Sequence, residues 1–492
     1  MNKKVLVVGA GLGGLATALR LAKKGFKVEV IEKNSRAGGR LNQIKKDGFT
    51  FDTGPSFFSM SYEFQEFAKD CNIDIPFKFF ELDPLYAVNF SNSPQIFHMH
   101  KDIKKLAEQF KDIEPEFEAN MVRYLRKSGK LFHDTVDLVI KNNFDSRFSY
   151  FTTLMRVNPM HIPVLFRSFW QEVMQNFSSK EAQQIVSLVA FFLGRTPFDT
   201  MAIYTLLSYT EFQHDGYFNV EGGMYKIVEG IVDELKKEDV KITYNTEIVS
   251  YIENNKKLDH LVDSAGKKWT ADVVLVNADA AVFRSRIFQR KAYSATKLDK
   301  MKWTMGYLTF YLGIKCKLPQ VNHHNYYLGT NFEEYANNVQ QNPGSLQKPY
   351  YYVNVLSKHN LECAPEGCES LLFVCPVPNL HYKPDWGDKD SIVNSIITDF
   401  SKRIKKDIEP EVISKTIYTP LEWQNQFNLH RGSGLGLAHN MYQIGAFRPA
   451  NFDEKFKNVF YVGASTVPGA GLPMSIISSK LACRRIEKFS NS

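Results

Sequence analysis

The sequence predicts an α/β fold, with a parallel sheet in a discontinuous first domain and mixed α+β structure in a second domain. Three observations support this prediction. A strand, a glycine-rich turn and a helix follow one another at the N-terminus, an acidic residue ends the next strand pattern, and short buried strand patterns recur far along the chain. A length of 492 residues suits about two or three domains.

The composition is that of an ordinary globular protein, with 44% hydrophobic and 23% charged residues, which excludes collagen-like and disordered chains. The 38 Phe and 23 Tyr residues indicate either an aromatic core or a large apolar cavity. The net charge is +8, but basic and acidic residues are mixed along the chain. We therefore expect no nucleic-acid partner, whereas an anionic membrane surface stays open as a partner.

The six cysteines are scattered and form no Cys-x-x-Cys pair, so we expect them to be reduced and mostly buried in a cytoplasmic protein with no metal site. The apolar stretch at the N-terminus is too short and too rich in glycine for a secretion signal. No apolar run approaches ~18 residues, so the sequence predicts no membrane-spanning helix.

The first motif joins the strand pattern of residues 4–8 to the turn of residues 9–14, with the sequence GAGLGG, and apolar residues at helical spacing follow it. A second strand pattern, residues 27–31, ends at Glu32. In such an arrangement a pyrophosphate lies against the turn and the amino end of the helix, and the acid accepts hydrogen bonds from ribose hydroxyls. The motif predicts a Rossmann-like dinucleotide-binding domain.

The glycines of this turn have distinct physical reasons. Gly9 permits the tight turn, Gly11 lets the backbone approach the pyrophosphate, and Gly14 lets the helix pack closely on the strand. A second glycine turn, Gly38-Gly39-Arg40, offers backbone amides and a guanidinium to a phosphate. The alternative for this second turn is a surface turn with a solvated arginine.

Together, residues 9–14, Glu32 and the turn 38–40 resemble the FAD-binding opening of the flavin amine oxidase and phytoene desaturase superfamily. The far end of the chain agrees with this resemblance. Residues 434–436, 443, 447–451 and 458–473, the last with the sequence NVFYVGASTVPGAGLP, look like the C-terminal signature of bacterial carotenoid desaturases. The matches lie at both ends of the chain in the family's order.

The resemblance implies a Rossmann-like FAD-binding domain of residues 1–75, 215–285 and 415–492, and a substrate-binding domain of residues 76–214 and 286–414. Strand patterns at 240–245, 247–252, 271–278 and 459–462 and a closing helix over 474–489 belong to the first domain. In the second domain we expect the block 76–214 to be helical. Strands at 307–312 and 371–377 suit an antiparallel sheet over the flavin.

FAD is the cofactor that the resemblance implies, and residues at both ends of the chain are expected to hold it. They are Gly9, Gly11, Leu12, Gly13, Gly14, Glu32, Lys33, Gly39, Arg40, Gly54, Pro55, Ile248, Val249, Gly463, Ala464, Gly471, Leu472, Pro473 and Met474. The backbone near Ile248 or Val249 is expected to meet the adenine, and the helix beginning near Met474 to point its amides at the isoalloxazine ring. Arg448 is expected to pack against the cofactor or to order the loop beneath it.

Residues 148–170 combine many apolar and aromatic side chains with Arg156 and Arg167 and contain no acid. Such a segment can lie in a membrane interface with its arginines on lipid phosphates, which implies peripheral attachment to the membrane. Two prolines interrupt it, so it is not one amphipathic helix. The alternative is a buried helical cap.

The resemblance also implies the reaction, which removes two hydrogens from adjacent carbons of a carotenoid, one as a hydride to flavin N5 and one as a proton. The protein mainly binds and orients the substrate and keeps the tunnel dry. We predict no particular acid or base, because an allylic cation loses its proton readily. The histidines at 98, 100, 323 and 324 are not accompanied by acidic residues in a metal-binding pattern, and we expect them to be solvated.

The C-terminal run resembles desaturases that act late, on a carotenoid with a 1-hydroxy end, so we expect 3,4-desaturation of such an end. Many relatives have His before the Pro-Gly pair, where this chain has Val467. Phytoene desaturase, carotenoid isomerase, protoporphyrinogen oxidase and amine oxidase stay open, as does a binding module that has lost redox chemistry. The exact carotenoid, the number of bonds desaturated, the electron acceptor and the oligomeric state are not predicted.

Overall fold

The computed structural model describes residues 3–491 and confirms the α/β fold. Its strands, in chain order, are Lys4–Val8 (β1), Lys27–Ile31 (β2), Asn42–Lys46 (β3), Phe49–Gly54 (β4), Phe58–Ser59 (β5), Phe79–Glu81 (β6), Tyr86–Phe90 (β7), Ile96–Met99 (β8), Tyr217–Val220 (β9), Lys241–Thr243 (β10), Ile248–Asn254 (β11), Lys257–Asp263 (β12), Lys268–Thr270 (β13), Val273–Val276 (β14), Gly306–Ile314 (β15), His324–Leu328 (β16), Tyr351–Val355 (β17), Glu369–Val377 (β18), Val412–Tyr418 (β19) and Val459–Tyr461 (β20).

The α-helices are Leu12–Ala22 (α1), Ser61–Cys71 (α2), Ile103–Ala107 (α3), Phe117–Thr135 (α4), Arg147–Leu154 (α5), Phe169–Met174 (α6), Lys180–Ser187 (α7), Leu206–Tyr209 (α8), Lys226–Lys237 (α9), Ala280–Arg286 (α10), Ala295–Lys300 (α11), Phe332–Asn338 (α12), Lys389–Arg403 (α13), Pro420–Phe427 (α14) and Leu472–Asn491 (α15). Short 3-10 helices cover Pro159–Leu165, Leu188–Leu193, Ala202–Thr205, Lys291–Tyr293, Pro343–Gln347, Leu356–Lys358, Leu361–Cys363, Glu409–Glu411, His430–Gly432 and Gly445–Phe447, and π-helical turns cover Val136–Ile140 and Thr210–His214.

The parallel sheet has the strand order β10-β2-β1-β14-β20. All four of its ladders are parallel, so the carboxyl ends of its strands lie at one edge. The predicted strands at 240–245, 271–278 and 459–462 are therefore confirmed, although each is shorter than its pattern. Helices α1 and α15 pack against each other, and their apolar faces share one core with strands of this sheet.

A larger, seven-stranded sheet has the order β19-β15-β18-β17-β16-β7-β8. It contains the predicted strands at 307–312 and 371–377, and its ladders are antiparallel except for the parallel pairing of β16 with β7. The sheet is therefore mixed rather than purely antiparallel. It differs from the sequence prediction because β7 and β8 come from the block 76–214, which was expected to be helical.

The six cysteines form no disulfide, and all but Cys316 are buried, as the sequence predicts. Between residues 3 and 491, no helix is both long and apolar enough to cross a membrane.

Candidate active site

The glycine turn lies where β1 meets α1, at the carboxyl edge of the parallel sheet. Gly9 has a φ of +101°, which L side chains rarely adopt, and Gly11 is the N-cap of α1. A Cβ on Gly14 would stand 2.4 Å from the Gly9 carbonyl oxygen, so only glycine lets the helix pack this closely on the turn. The first amides of α1 therefore open toward a cleft, which is the geometry that binds phosphate groups.

Glu32 follows β2 at the same edge and is 6% exposed. Its carboxylate accepts hydrogen bonds from the backbone N–H groups of Ala10 (2.7 Å) and Asn34 (2.9 Å). Burial raises the pKa of the Glu32 carboxyl, and these two backbone hydrogen bonds oppose that rise. The side chain is thus held rigidly beside the glycine turn.

The second glycine turn packs directly on the first. The Gly38 N–H donates to the Ala10 carbonyl (2.8 Å), and a Cβ on Gly39 would stand 3.3 Å from the Cα of Gly11. The Arg40 guanidinium donates to the Gly434 carbonyl (2.7 Å), which joins the N-terminal motif to the C-terminal one. The surface-turn alternative does not describe this turn, because Arg40 is only partly exposed and lines a cleft.

A cavity of about 1420 Å³ begins at these turns. Most of the predicted cofactor residues line it: Gly9, Gly11, Leu12, Gly13, Glu32, Lys33, Gly39, Arg40, Gly54, Pro55, Ile248, Gly463, Ala464, Gly471, Leu472, Pro473 and Met474. Gly14 lies beneath the turn rather than on the cavity wall. The Val249 side chain is 49% exposed and does not line the cavity, whereas its neighbour Ile248 does.

The cavity continues from the glycine turns into an apolar arm. Its wall there is mostly aromatic and aliphatic, and includes Phe57, Leu131, Phe132, Val136, Val139, Ile140, Leu188, Val189, Phe191, Phe192, Leu206, Tyr217, Tyr307, Tyr326, Leu328, Phe332, Tyr335 and Tyr352. Phe151, Met155 and Ile162 line the cavity and are also more than half exposed. The cavity therefore opens to the surface within the segment 148–170.

Comparison with known proteins identifies the family. A family model described as flavin containing amine oxidoreductase matches residues 12–487. The chain belongs to this family. As a family member it is an FAD-dependent oxidoreductase, and its cofactor is FAD.

Two curated relatives and one solved structure illustrate the similarity. A phytoene desaturase of Fusarium fujikuroi is 30% identical over 518 residues, which cover 100% of this chain and 90% of the relative. A 1-hydroxycarotenoid 3,4-desaturase of Flavobacterium sp. (strain P99-3) is 27% identical over 488 residues, covering 97% of this chain and 98% of the relative. The structure of cyclohexylamine oxidase from Brevibacterium oxydans is 12% identical, with a TM-score of 0.61 and 100% coverage of both chains, and shows the shared fold.

The residues present fit the FAD of this flavin oxidoreductase family. A carboxylate suited to ribose hydroxyls, a glycine turn without Cβ atoms and a guanidinium line one continuous cavity. Residues 472–475, the first turn of the twenty-residue helix α15, also line it, so the positive end of the helix dipole faces the cavity. In this arrangement the turns would hold the diphosphate, Glu32 the ribose and α15 the isoalloxazine ring.

Asn277 lines the same cavity beside the glycine turn, and sequence reasoning missed it. It follows β14, and its amide donates to the Gly9 carbonyl (3.3 Å). Its Oδ1 atom lies 3.0 Å from the Cβ positions of both Gly13 and Gly463, so one side chain packs on glycines from the two ends of the chain. The signal was its place directly after a buried parallel strand, at the edge where such sheets bind ligands.

Arg448 orders the loop beneath the cleft and does not line the cavity. It is 3% exposed, and its guanidinium donates to the carbonyls of Thr466 (2.9 Å), Ala464 (2.6 Å), Leu437 (3.2 Å) and Gln443 (3.2 Å). Of the two roles expected for it, the structure supports the ordering of the loop.

Sequence reasoning also missed His439, which lies beside Pro468-Gly469, the pair that follows Val467. Its Nε2 accepts a hydrogen bond from the Ala470 N–H (3.3 Å), and its ring occupies the place of a Gly469 side chain, whose Cβ would stand 2.2 Å from Nε2. The ring is 6% exposed and lines the cavity. An imidazole thus reaches this loop from a distant part of the sequence.

The prediction that the paired histidines are solvated is wrong. His323, His324 and His100 are 6%, 1% and 7% exposed, and only His98 is intermediate. His324 is buried because it begins β16, which lies between β17 and β7 in the seven-stranded sheet, and His323 directly precedes that strand.

Glu211 is a second buried group that the sequence pattern did not reveal. It lies in the π-helical turn Thr210–His214, is 3% exposed, and hydrogen-bonds to the hydroxyls of Tyr86 and Tyr217. Burial raises the pKa of the Glu211 carboxyl to about 8, so it is mostly protonated at neutral pH. Since Tyr217 lines the cavity, this acid stands directly behind the cavity wall.

Proposed function

We propose that this protein is an FAD-dependent carotenoid desaturase that removes a hydride and a proton from adjacent carbons of an acyclic carotenoid end. The observation that carries the proposal is the single cavity of about 1420 Å³ that runs from the cofactor turns through an apolar arm to an opening among exposed apolar residues. The similarity to carotenoid desaturases along the whole chain supports the same substrate class.

The apolar arm suits a long hydrocarbon better than a small polar amine. Burying a polyene against its aromatic and aliphatic wall would be favoured by the hydrophobic effect, and the wall excludes water from the reacting carbons. When bound, FAD supplies the two-electron acceptor for the hydride. The protein residues then hold the chain in register, with the bond to be oxidised next to the cofactor end of the cavity.

The finer proposal is 3,4-desaturation of a carotenoid with a 1-hydroxy end. The sequence around Val467 supports it, and the structure adds a buried acid beside a tyrosine of the mostly apolar wall. Protonated Glu211 and the Tyr217 hydroxyl form a buried pair beside the cavity, and a site built to bind a hydroxyl rejects an analogue without one. A tunnel of apolar side chains alone discriminates only weakly between polyenes.

A second candidate is phytoene desaturase. Its support is the higher identity to the phytoene desaturase of Fusarium fujikuroi, 30% against 27% for the 1-hydroxycarotenoid 3,4-desaturase.

One experiment tests both candidates. The holoprotein is mixed with liposomes that contain either phytoene or a 1-hydroxycarotenoid, and the products are separated by chromatography. We expect 3,4-desaturation of the hydroxylated substrate and little conversion of phytoene. In Tyr217→Phe we expect a smaller difference between the conversion rates of the two substrates. Efficient conversion of phytoene to neurosporene or lycopene would replace the first candidate with the second, and conversion of neither would overturn the proposal.

We further propose that the protein attaches to the membrane surface around the cavity opening. Helix α5 and the segment that follows it expose large apolar side chains, with Phe148, Met155 and Phe166 at 78%, 77% and 76% exposure. A water-soluble substrate would not need exposed apolar side chains around the cavity opening. A substrate dissolved in lipid enters most directly through an opening that such side chains hold against the membrane. We call Phe148, Phe151, Met155, Met160, Ile162 and Phe166 the apolar rim.

Cations beside the apolar rim support the same orientation. Arg147, Lys297 and Lys300 line a second cavity, of about 360 Å³, together with Tyr442, which is 81% exposed. Phe447 of the same cavity contacts Phe151 of the rim, at 6.0 Å between ring centroids. Within residues 3–491 these three cations form no ion pair, so their charges are available to anionic lipid phosphates.

A further inference from the structure

We propose that the second cavity, of about 360 Å³, binds the phosphate of an anionic phospholipid headgroup. The inference deepens the membrane attachment proposed above and rests on it for the source of the phosphate. This cavity shares no lining residue with the cofactor cavity among the described residues. The cations that line it are Arg147, Lys297, Lys300 and Arg448.

The charge around this cavity is unbalanced. Among the residues that the structure describes, four cationic side chains and no acidic one line it. The acids nearest to these cations in the sequence pair with other partners: Asp145 with Arg485 at 2.5 Å, and Asp299 with Arg431 at 2.5 Å. Since buried or clustered charges are normally paired, a cavity of this kind favours an anionic ligand.

Three of the cations come from two separate helices. Lys297 and Lys300 lie three residues apart on α11, so they share one face of that helix. Both are exposed, and neither side chain has a hydrogen bond or an ion pair with a described residue. Arg147 begins α5, and its guanidinium carbon lies 5.2 Å from the centroid of the Phe447 ring. The fold thus brings distant cations to one cavity.

The fourth cation, Arg448, is buried, with 3% exposure. Four of its five N–H groups donate to backbone carbonyls, and the second N–H of Nη1 has no acceptor in the part of the chain that the structure describes. No carboxylate pairs with the guanidinium within residues 3–491, and burial lowers its pKa to about 10. An anion in the cavity would therefore stabilise this buried charge.

The floor of the cavity is held in place by the protein itself. The Gln443 side chain accepts a hydrogen bond from the Lys302 N–H (2.8 Å) and donates to the Lys302 carbonyl (2.8 Å). The Gln443 carbonyl accepts from Arg448 (3.2 Å). Because these contacts exist without a ligand, binding would require little further ordering of the floor.

The position of the cavity favours a lipid over a free phosphate ion. The Phe447 ring beside Arg147 also contacts Phe151 of the apolar rim, with centroids 6.0 Å apart. Tyr442, at the same cavity, is 81% exposed, and tyrosines are frequent at the level of lipid headgroups. A phosphate beside an apolar surface matches a phospholipid, whose acyl chains would cover the rim. The lysines would repel a choline group, which favours a headgroup with net negative charge, such as phosphatidylglycerol.

The first test is flotation of the holoprotein with vesicles of phosphatidylcholine, alone or mixed with phosphatidylglycerol. Lys297→Gln with Lys300→Gln should weaken binding to the mixed vesicles about 30-fold, since each cation at an anionic surface contributes roughly a factor of five. Binding to phosphatidylcholine alone should not change. Lys291→Gln with Lys302→Gln is the matched control, because these lysines are also exposed and close in the sequence but do not line the cavity. The control should keep most of its affinity.

The second test separates the lipid from free phosphate. Calorimetric titration of the holoprotein with short-chain phosphatidylglycerol, below the concentration at which it forms micelles, should show one lipid bound per protein. Inorganic phosphate should bind at least about 10-fold more weakly, because it has no acyl chains to bury against the rim. The variant Lys297→Gln with Lys300→Gln should lose the short-chain lipid, and the control should bind it.

Three results would overturn the inference. Equal losses in the cavity variant and its control would mean that only the overall charge matters, and would remove the site. Inorganic phosphate that binds as tightly as the short-chain lipid would overturn the assignment to a lipid. If the wild type floats with neither kind of vesicle, the membrane attachment fails and the lipid assignment fails with it, whereas flotation that the cavity variant leaves unchanged removes the site alone.

Discussion

The side-chain amide of Asn277 lies over the glycine turn, so that a Cβ on Gly11 would stand only 2.6 Å from its Nδ2 atom. Asn277 follows β14, whereas Gly11 follows β1, and the two strands are hydrogen-bonded neighbours in the parallel sheet. The shape of the cofactor turn thus depends on a residue from a different part of the chain.

This contact gives the first prediction. Gly11→Ala should displace the Asn277 side chain and lower FAD occupancy, because the new methyl group occupies the space of the Asn277 amide. Gly11→Ala combined with Asn277→Ala should recover much of that occupancy, since the clash is removed. Flavin absorbance per mole of purified protein measures the effect. If the double variant holds no more flavin than the single one, the clash with Asn277 is not the cause.

The second prediction concerns Glu32. Glu32→Ala should fold but bind FAD about 10- to 100-fold more weakly, because hydrogen bonds to a charged group contribute about 1.5 to 3 kcal/mol. Fluorescence titration of the apoprotein with FAD measures this. Glu29→Ala is the matched control, since Glu29 lies on β2, the strand that Glu32 follows, but pairs with Lys4 at 3.0 Å. Equal FAD affinity in the two variants would remove Glu32 from the ribose site.

The third prediction concerns the apolar rim. Phe148→Ser with Met155→Ser should reduce flotation of the protein with liposomes, because two highly exposed apolar side chains are lost from the proposed membrane face. Leu361→Ser is the control, since Leu361 is also highly exposed, at 72%, but does not line the cavity. A rim variant that floats like the wild type would leave the segment 148–170 as a structural cap.

The two arginines of this segment should differ, which the sequence alone did not indicate. Arg167 donates to Gln175 (2.9 Å) and lies 3.3 Å from the Glu172 carboxylate, whereas Arg156 is exposed and has no ion pair among the described residues. Arg156→Gln should therefore weaken flotation with anionic liposomes more than Arg167→Gln, since each free cation near such a surface contributes roughly 1 kcal/mol. If the two variants weaken flotation equally, or if neither weakens flotation with anionic liposomes, the proposed difference between the two arginines is wrong.

The fifth prediction is a pH dependence of stability due to Glu211. Its pKa is about 8 in the folded protein and 4.5 for a free carboxyl, so the folded state holds the proton more tightly. The Glu211 carboxyl makes its full contribution to the free energy of unfolding below about pH 4.5. That contribution is lost as the pH rises from about 4.5 to about 8. Within that window the wild type should lose up to roughly 1.4 kcal/mol per pH unit relative to Glu211→Gln. If the denaturant midpoints of the two proteins change with pH in the same way, folding does not raise the pKa of the Glu211 carboxyl.

Some structural features could be predicted from short, contiguous stretches of the sequence. The turn 9–14, the acid at Glu32 and the buried strand after residue 458 were all predictable, because each depends on a local pattern of glycine, β-branched residues and alternating polarity. The helix α15 was predicted two residues too short at each end, which is the usual uncertainty of helix ends.

Other features depended on which distant segments meet. The strands β7 and β8 are short and sit in a helical context, and only their pairing with β16 makes them part of the large sheet. His323 and His324 are polar in isolation, yet the sheet position buries both.

By itself, the sequence determined the family, the position of the two glycine turns and the cofactor, because a glycine turn between a strand and a helix is a short local motif with few physical alternatives. Only the tertiary structure decided that Asn277 and His439 lie in the cleft, that Glu211 is buried behind Tyr217, and that the cavity opens among exposed apolar side chains. Most of these facts rest on contacts between residues far apart in the chain, such as Glu211 with Tyr86, and the burial, pKa and exposure of a side chain depend on those contacts.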